Sequence, residues 1–241
     1  QPAVDRWEGL LRATGGAIEP SKSWWVLIDF VWDAPSHEFK YRSIEDMPGE
    51  LTVKDHTGTQ RILKRIEVED SNNQPTLGVR LTMTGDLTDQ LYHLAQEAET
   101  FAFQLQQTRA DKKAVFYTYQ SSFMKTIEYP LTATTFTEAQ WNSIMAPVIK
   151  TGLQKSGFSA TFPRDIFFGP VKYQGFGCKH PYYHQETLHV VTLVNEILNT
   201  TQTGQLLIVS LEELVRDLGV AEPLHRVPYR TYVPCTKNSW I

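Results

Sequence analysis

Two hydrophobic periods share this chain, and they meet near Gly85. Before that point, "SWWVLIDFVW", "HEFKYRSI", "GELTVKD", "QRILKRIEVE" and "TLGVRLTM" are separated by "DMPG", "DHTG" and "SNNQP". β-Branched and aromatic runs bounded by Gly, Pro, Asn and Asp make short strands joined by tight turns. After it, Leu91, Leu94, Ala95, Ala98 and Ala102 recur at three and four, the spacing of one helix face. Such a chain reads as α+β: an N-terminal helix plus a small antiparallel sheet, followed by a mainly helical region. The expected division is residues 1–86 and residues 87–241.

Local signals refine this reading. Val4 to Thr14 reads as a helix with Trp7, Leu10 and Leu11 on one face, and Gly15 and Gly16 supply its stop. Ser23 to Trp32 reads as one strand. Thr88 caps a second helix, and Ala110 to Lys125 forms another. Thr137 and Gln140 make a capping box ahead of Trp141, Ile144, Met145 and Val148, with a kink expected at Pro147. A loop-rich stretch follows, from Ser156 to Tyr183. Helices near 185–198 and 204–218 come next, the last stopped by Gly219, and the tail reads as irregular.

Composition narrows the function classes. The chain has 241 residues, 41% hydrophobic and 21% charged, with no apolar run near the ~18 residues that span a bilayer. No basic segment leads into an apolar one at the start, so no secretory signal is visible. The first residue is Gln1 rather than Met, and further sequence is expected upstream. Cys178 and Cys235 make no disulfide framework, which fits a reducing compartment. The expectation is an intracellular protein, in cytoplasm or nucleus, with no membrane partner. A net charge of −4 argues against a dedicated nucleic-acid binder. Yet Ala139 to Gln185 carries Lys150, Lys155, Arg164, Lys172 and Lys179 against the single carboxylate Asp165. That stretch suits either a phosphate contact or an ordinary solvated surface.

The densest group of chemically capable side chains is Cys178, His180, His184, Glu186 and His189. Imidazole and thiolate are zinc ligands, but the spacing matches neither His-Glu-x-x-His nor paired Cys-x-x-Cys. No Gly-x-Ser-x-Gly elbow and no phosphate loop is present, and the chain contains no Asp-Asp pair. "KYQGFG", Lys172 to Gly177, is a glycine-punctuated turn that lets the backbone pass close to another element of the fold or to a ligand.

Taken together, "WEGLLRATGGAIEPSKSWWVLIDFVW", "TLGVRLT", "KTIEYPLTATTFT", "FPRDIFFGPVKYQGFG" and "TGQLLIVSLEEL" resemble the palm end and thumb of retroelement reverse transcriptases. In that family a helix follows the catalytic Asp-Asp turn and runs into a turn matched here by Gly16, Ala17, Pro20 and Lys22. The resemblance implies that Lys22 lies near the departing pyrophosphate; read from the residues alone, it is an exposed turn lysine. It implies that Leu77 and Gly78 belong to a strand pair near the primer end. It further implies helices from Thr88 onward that brace an RNA/DNA primer-template, with Lys150, Lys155, Arg164, Lys172 and Lys179 as the contacts. The missing partners would be the rest of the palm and the fingers. Magnesium would belong to the parent polymerase, held by residues not present here, so this portion should carry no cofactor and should not polymerise alone. Without the missing strands, apolar surface is expected around Trp24, Val26 and Ile28. Two other readings stay open: a stand-alone protein-interaction module, suited by six tryptophans and a pI near 6.0, and a zinc-dependent hydrolase built on the histidine cluster.

Overall fold

The computed structural model describes residues 1–68, 75–76, 78–80, 82–221, 226–228 and 230. The chain divides into two compact units, Gln1–Asp86 and Leu87–Ile241. The fold is mixed α and β, with an N-terminal helix, small two-stranded sheets and a helical C-terminal region.

Pro2 stands in the first turn of α1 (Pro2–Ala13), where its missing N–H costs nothing. At the other end Gly15 takes φ +81°. Its N–H reaches the Arg12 carbonyl at 3.0 Å, and the N–H of Gly16 reaches Leu11 at 2.8 Å. These two bonds close the last turn in the Schellman manner, which a residue with a Cβ does poorly. The expected apolar face of α1 is not the one that packs. Trp7 and Leu10 are 58% and 59% exposed, whereas Glu8 is buried. The reason lies in β4 (Thr52–Lys54), whose free edge needs an acceptor. The Glu8 carboxylate takes the Lys54 N–H at 3.0 Å and pairs with Arg12 at 3.1 Å, while Arg12 also donates to the Asp55 carbonyl. Helix α1 is therefore docked by a satisfied carboxylate and not by its tryptophan.

Among the described residues the small sheet expected here takes the form of four two-stranded ladders, three antiparallel and one parallel. Strand β1 (Trp24–Trp25) runs parallel to β6 (Lys64–Arg65). Strand β2 (Phe30–Asp33) pairs antiparallel with β3 (Glu38–Tyr41), and β4 with β5 (Gln60–Ile62). Strand β7 (Pro75–Thr76) pairs with β8 (Val79–Arg80). The expected strand from Ser23 to Trp32 breaks because its ends serve different partners. Trp25 accepts from the Ile66 N–H at 3.1 Å, whereas Asp29 accepts from Arg42 at 3.0 Å. The buried apolar residues of this unit, among those described, are Val53, Leu63, Ile66, Val68 and Val79.

The second unit has a larger core. Helix α2 (Thr88–Gln107) lies against α5 (Glu138–Lys155), where Ala98 and Ala102 let the backbones approach beside the fully buried Trp141, Met145 and Leu153. Thr137 and Gln140 form the reciprocal capping box, and the helix continues through Pro147 to Lys155. One expected helix is instead α3 (Lys112–Thr118), a π turn over Tyr119–Phe123, and α4 (Met124–Glu128). Val115, Tyr119, Phe123 and Ile127 all point inward at intervals of four. An ideal α-helix swings each such step by about 40°, and the wider π turn takes up that drift. Among the described residues α6 (Arg164–Phe168), α7 (Pro181–Ile197) and α8 (Gln202–Leu218) follow. The sequence pattern places the first turn of α7 in a loop; Pro181 at its N-terminus and His180 as its cap start it earlier than 185. Among the described residues no helix is long and apolar enough to cross a membrane.

Gln185 sits at the centre of this unit, 1% exposed. Its Oε1 accepts from Trp141 Nε1 at 3.0 Å, Thr134 Oγ1 at 3.1 Å and the Phe136 N–H at 3.2 Å, and its Nε2 donates to the Phe136 carbonyl at 3.0 Å. Gln185→Met keeps the volume and leaves the Trp141 and Phe136 N–H groups buried without that acceptor, while Thr134 can still turn its hydroxyl to the Leu131 carbonyl. It should lower the unfolding free energy by about 3 kcal/mol in urea denaturation. The exposed control Glu212→Gln should stay within about 0.5 kcal/mol of the parent. Equal midpoints for both variants would show that the network does not hold the unit together.

Candidate nucleic-acid interface

Lys22 ends a short 3₁₀ turn, Pro20–Lys22. Glu19 caps that turn, accepting from the Ser21 N–H at 3.3 Å and the Ser21 hydroxyl at 2.7 Å, and these bonds pull its carboxyl below the usual range. Ser23 closes the turn by donating its hydroxyl to the Glu19 carbonyl at 2.9 Å. The lysine is exposed, and among the described residues no carboxylate lies within ion-pair distance of it. Local bonding thus fixes the backbone under a solvated ammonium. Leu77 lies outside the described residues. Gly78 takes φ +87° in the turn joining β7 and β8, with open space where a Cβ would stand.

The five basic residues of the second unit do not form one patch. Lys150 and Lys155 both lie on α5, about 140° apart around the helix. Lys155 donates to the Thr108 carbonyl at 2.7 Å and so closes the C-terminus of α2. Lys179 pairs with Glu128 at 3.1 Å. Lys172 lies 4.7 Å from the centre of the Tyr173 ring. Arg164 opens α6, where partial burial pulls its guanidinium below its ordinary value. Arg164, Lys172 and Lys179 do share one lobe. The Phe176 N–H bonds the Ile166 carbonyl at 2.9 Å, and the Cys178 N–H bonds Phe167 at 3.3 Å, tying the loop to α6.

The cysteine and histidines are dispersed into separate duties. Cys178 is buried in the core, and burial pushes its thiol up to about 12. His180 Nδ1 accepts the Tyr182 N–H at 3.2 Å, so its proton sits on Nε2, which donates to Asn142 Oδ1 at 3.2 Å. His184 meets Glu128 at 2.7 Å, and His189 Nε2 donates to the Leu131 carbonyl at 3.1 Å. Among the described residues no three His, Cys, Asp or Glu side chains gather as a metal site. Cys178, Lys179, His180 and His184 instead line one wall of an open cleft of about 480 Å³, with Phe168 and Tyr183 among the other lining residues. Hydrogen bonds from Lys125, His184 and Lys179 hold the Glu128 carboxyl down at about 2. Nothing in the sequence flagged Glu128. The exposed Tyr173 was visible only as part of a turn read for its glycines.

Comparison with protein-family models, with curated proteins and with solved structures returns no match to this chain.

Burial holds the His180 and His189 imidazoles neutral below their ordinary value of 6.5. The unfolded chain takes up these protons first, so the stability they contribute is present above about pH 6.5 and is lost as pH falls below it. Glu128 loses its share only lower, between 4.5 and about 2. The urea midpoint should therefore fall between about pH 7.5 and about pH 5. His180→Asn keeps a capping acceptor and should fall less. An identical fall in both proteins would remove His180 from the account.

Proposed function

We propose that this chain is the C-terminal portion of a retroelement RNA-directed DNA polymerase that contacts the primer-template and is completed by the rest of a palm and fingers. The observation that carries this reading is the unfinished apolar core of the N-terminal unit. Trp7, Ile18, Trp24, Trp25, Leu51 and Leu63 are among the residues lining an open cleft of about 590 Å³. Trp24 and Val26 are half-buried, whereas Ile28 is 46% exposed. The exposed apolar run continues through Leu27, Phe30, Val31 and Trp32 and across the hairpin to Phe39. Phe30, Trp32 and Phe39 share one face of that hairpin, and an exposed apolar face of this kind marks an interaction site. Further palm strands are the natural cover, since they would also supply what this chain lacks.

The residues present do not fit a two-metal polymerase site. The sequence has no adjacent aspartates, and among the described residues no carboxylate cluster forms. On this reading the portion would not polymerise without the residues that hold the metals. Lys22, exposed on its braced turn, would add positive charge beside leaving phosphates in the completed enzyme. In the second unit Lys150, Arg164 and Lys172 are exposed cations suited to phosphate contact.

Binding of the chain to a blunt RNA–DNA hybrid should weaken with salt, with a log–log slope of about −3 or steeper. The triple variant Lys150→Gln, Arg164→Gln, Lys172→Gln should flatten that slope by about 0.9 for each phosphate that is no longer neutralised. A flat slope in the parent chain would overturn the reading and favour a protein-interaction module on the uncovered apolar face.

A further inference from the structure

The turn Pro170–Gln174 is a rigid projection. Tyr173 and Gly175 both donate to the Pro170 carbonyl, at 2.9 and 3.1 Å, and the Gln174 N–H reaches Val171 at 2.9 Å. Gly177 donates to the Gly169 carbonyl at 2.8 Å. A Cβ at Gly175 would lie 2.1 Å from the Gly169 oxygen, so the two backbone limbs meet with no room for a side chain. Below them Phe176 stacks on Phe162 with ring centres 5.2 Å apart and also packs on Phe158 and Phe116. Above them Val171 and Tyr173 are 71% and 72% exposed. Other aromatics of the chain are as exposed, Tyr117 at 73% among them, but Tyr173 stands on a turn braced on both limbs and carries a cation on its ring.

The surrounding charge narrows the partner. From Ser156 to His180 the lobe carries Arg164, Lys172 and Lys179 against Asp165 alone, on a chain of net charge −4. Ile166 is the other exposed large apolar side chain there. Three apolar side chains fall well short of the ~800 Å² that a stable protein interface covers on each side. The Lys172 ammonium lies over one face of the Tyr173 ring, 4.7 Å from its centre; the opposite face can stack on a base while the ammonium meets the phosphate, which matches a nucleotide. Paired bases hide their faces in the helix stack, whereas an unpaired base offers one.

We propose that Tyr173 stacks on an unpaired base of the strand adjoining the hybrid duplex, while Lys172 holds a neighbouring phosphate. This rests on the nucleic-acid reading above. Anisotropy with a blunt RNA–DNA hybrid and with the same hybrid carrying a single-stranded extension tests it. The parent chain should prefer the extended probe. Tyr173→Ala should lose roughly 5- to 150-fold on that probe, the cost of one stacked base, and leave blunt binding unchanged. Tyr173→Phe should retain the preference, and Lys172→Gln should reduce the salt slope on the extended probe by about 0.7. An unchanged circular-dichroism melt for Tyr173→Ala excludes misfolding as the cause. If Tyr173→Ala binds both probes as the parent does, the stacking role is overturned while salt-dependent blunt binding keeps the nucleic-acid reading. If the parent binds neither probe, both fall.

Discussion

The side-chain amide of Gln185 holds three parts of the helical unit in register. It reaches from α7 to the Trp141 indole on α5 and to both backbone groups of Phe136, with the Thr134 hydroxyl beside them. Each partner is buried, so each would otherwise be a polar group stranded away from water. His189, one turn further along α7, repeats the arrangement by donating to the Leu131 carbonyl. The segment 130–136 is a 3₁₀ turn, Pro130–Ala133, followed by three residues outside any helix or strand. Two side chains of α7 bond its backbone at Leu131 and Phe136, and the aromatic and aliphatic core closes around them. Once α7 is fixed, His180 at its N-terminus and the lobe before it are fixed as well.

The two units differ in how complete they are. The second buries Trp141, Phe123, Ile127, Leu131 and Met145 to within a few per cent of full burial. The first is held by polar bonds as much as by apolar ones: Glu8 onto β4, and Asp55 accepting from the Thr57 and Thr59 N–H groups and from Arg61. Trp7, Trp24 and Trp25 line a cleft instead of filling a core. Two-stranded ladders are marginal by themselves, and among the described residues four of them stand separately.

What could be read from the residues follows the range of the interaction responsible. The capping box of Thr137 and Gln140 is local, and its physics depends only on residues three apart. The break in the long aromatic strand depends on Ile66 and Arg42, far away in sequence, so the pattern of Ser23 to Trp32 alone suggests one strand. The outward turn of Trp7 depends on the free edge of β4, which periodicity cannot register. The start of α7 escapes the pattern because a histidine Nδ1 is an unusual cap, although Pro181 is a signal in plain view. The histidine and cysteine cluster looks like chemistry because its members are close in sequence. Helix geometry then sends His184 and His189 to different partners, and burial removes the thiol altogether.

The same local pairing decides which cations are available to a polyanion. Lys155 closes the end of α2, and taking it away would expose the Thr108 carbonyl. Lys179 is different, because Glu128 also receives Lys125 and His184. If Lys179 turns to a phosphate, the carboxylate keeps two donors, and an exposed pair of this kind is worth at most about 1 kcal/mol to begin with. Lys172 rests on the Tyr173 ring, a contact that orients the ammonium without neutralising it. The contact proposed for the basic lobe would therefore leave its own fold intact, even though the chain as a whole is acidic.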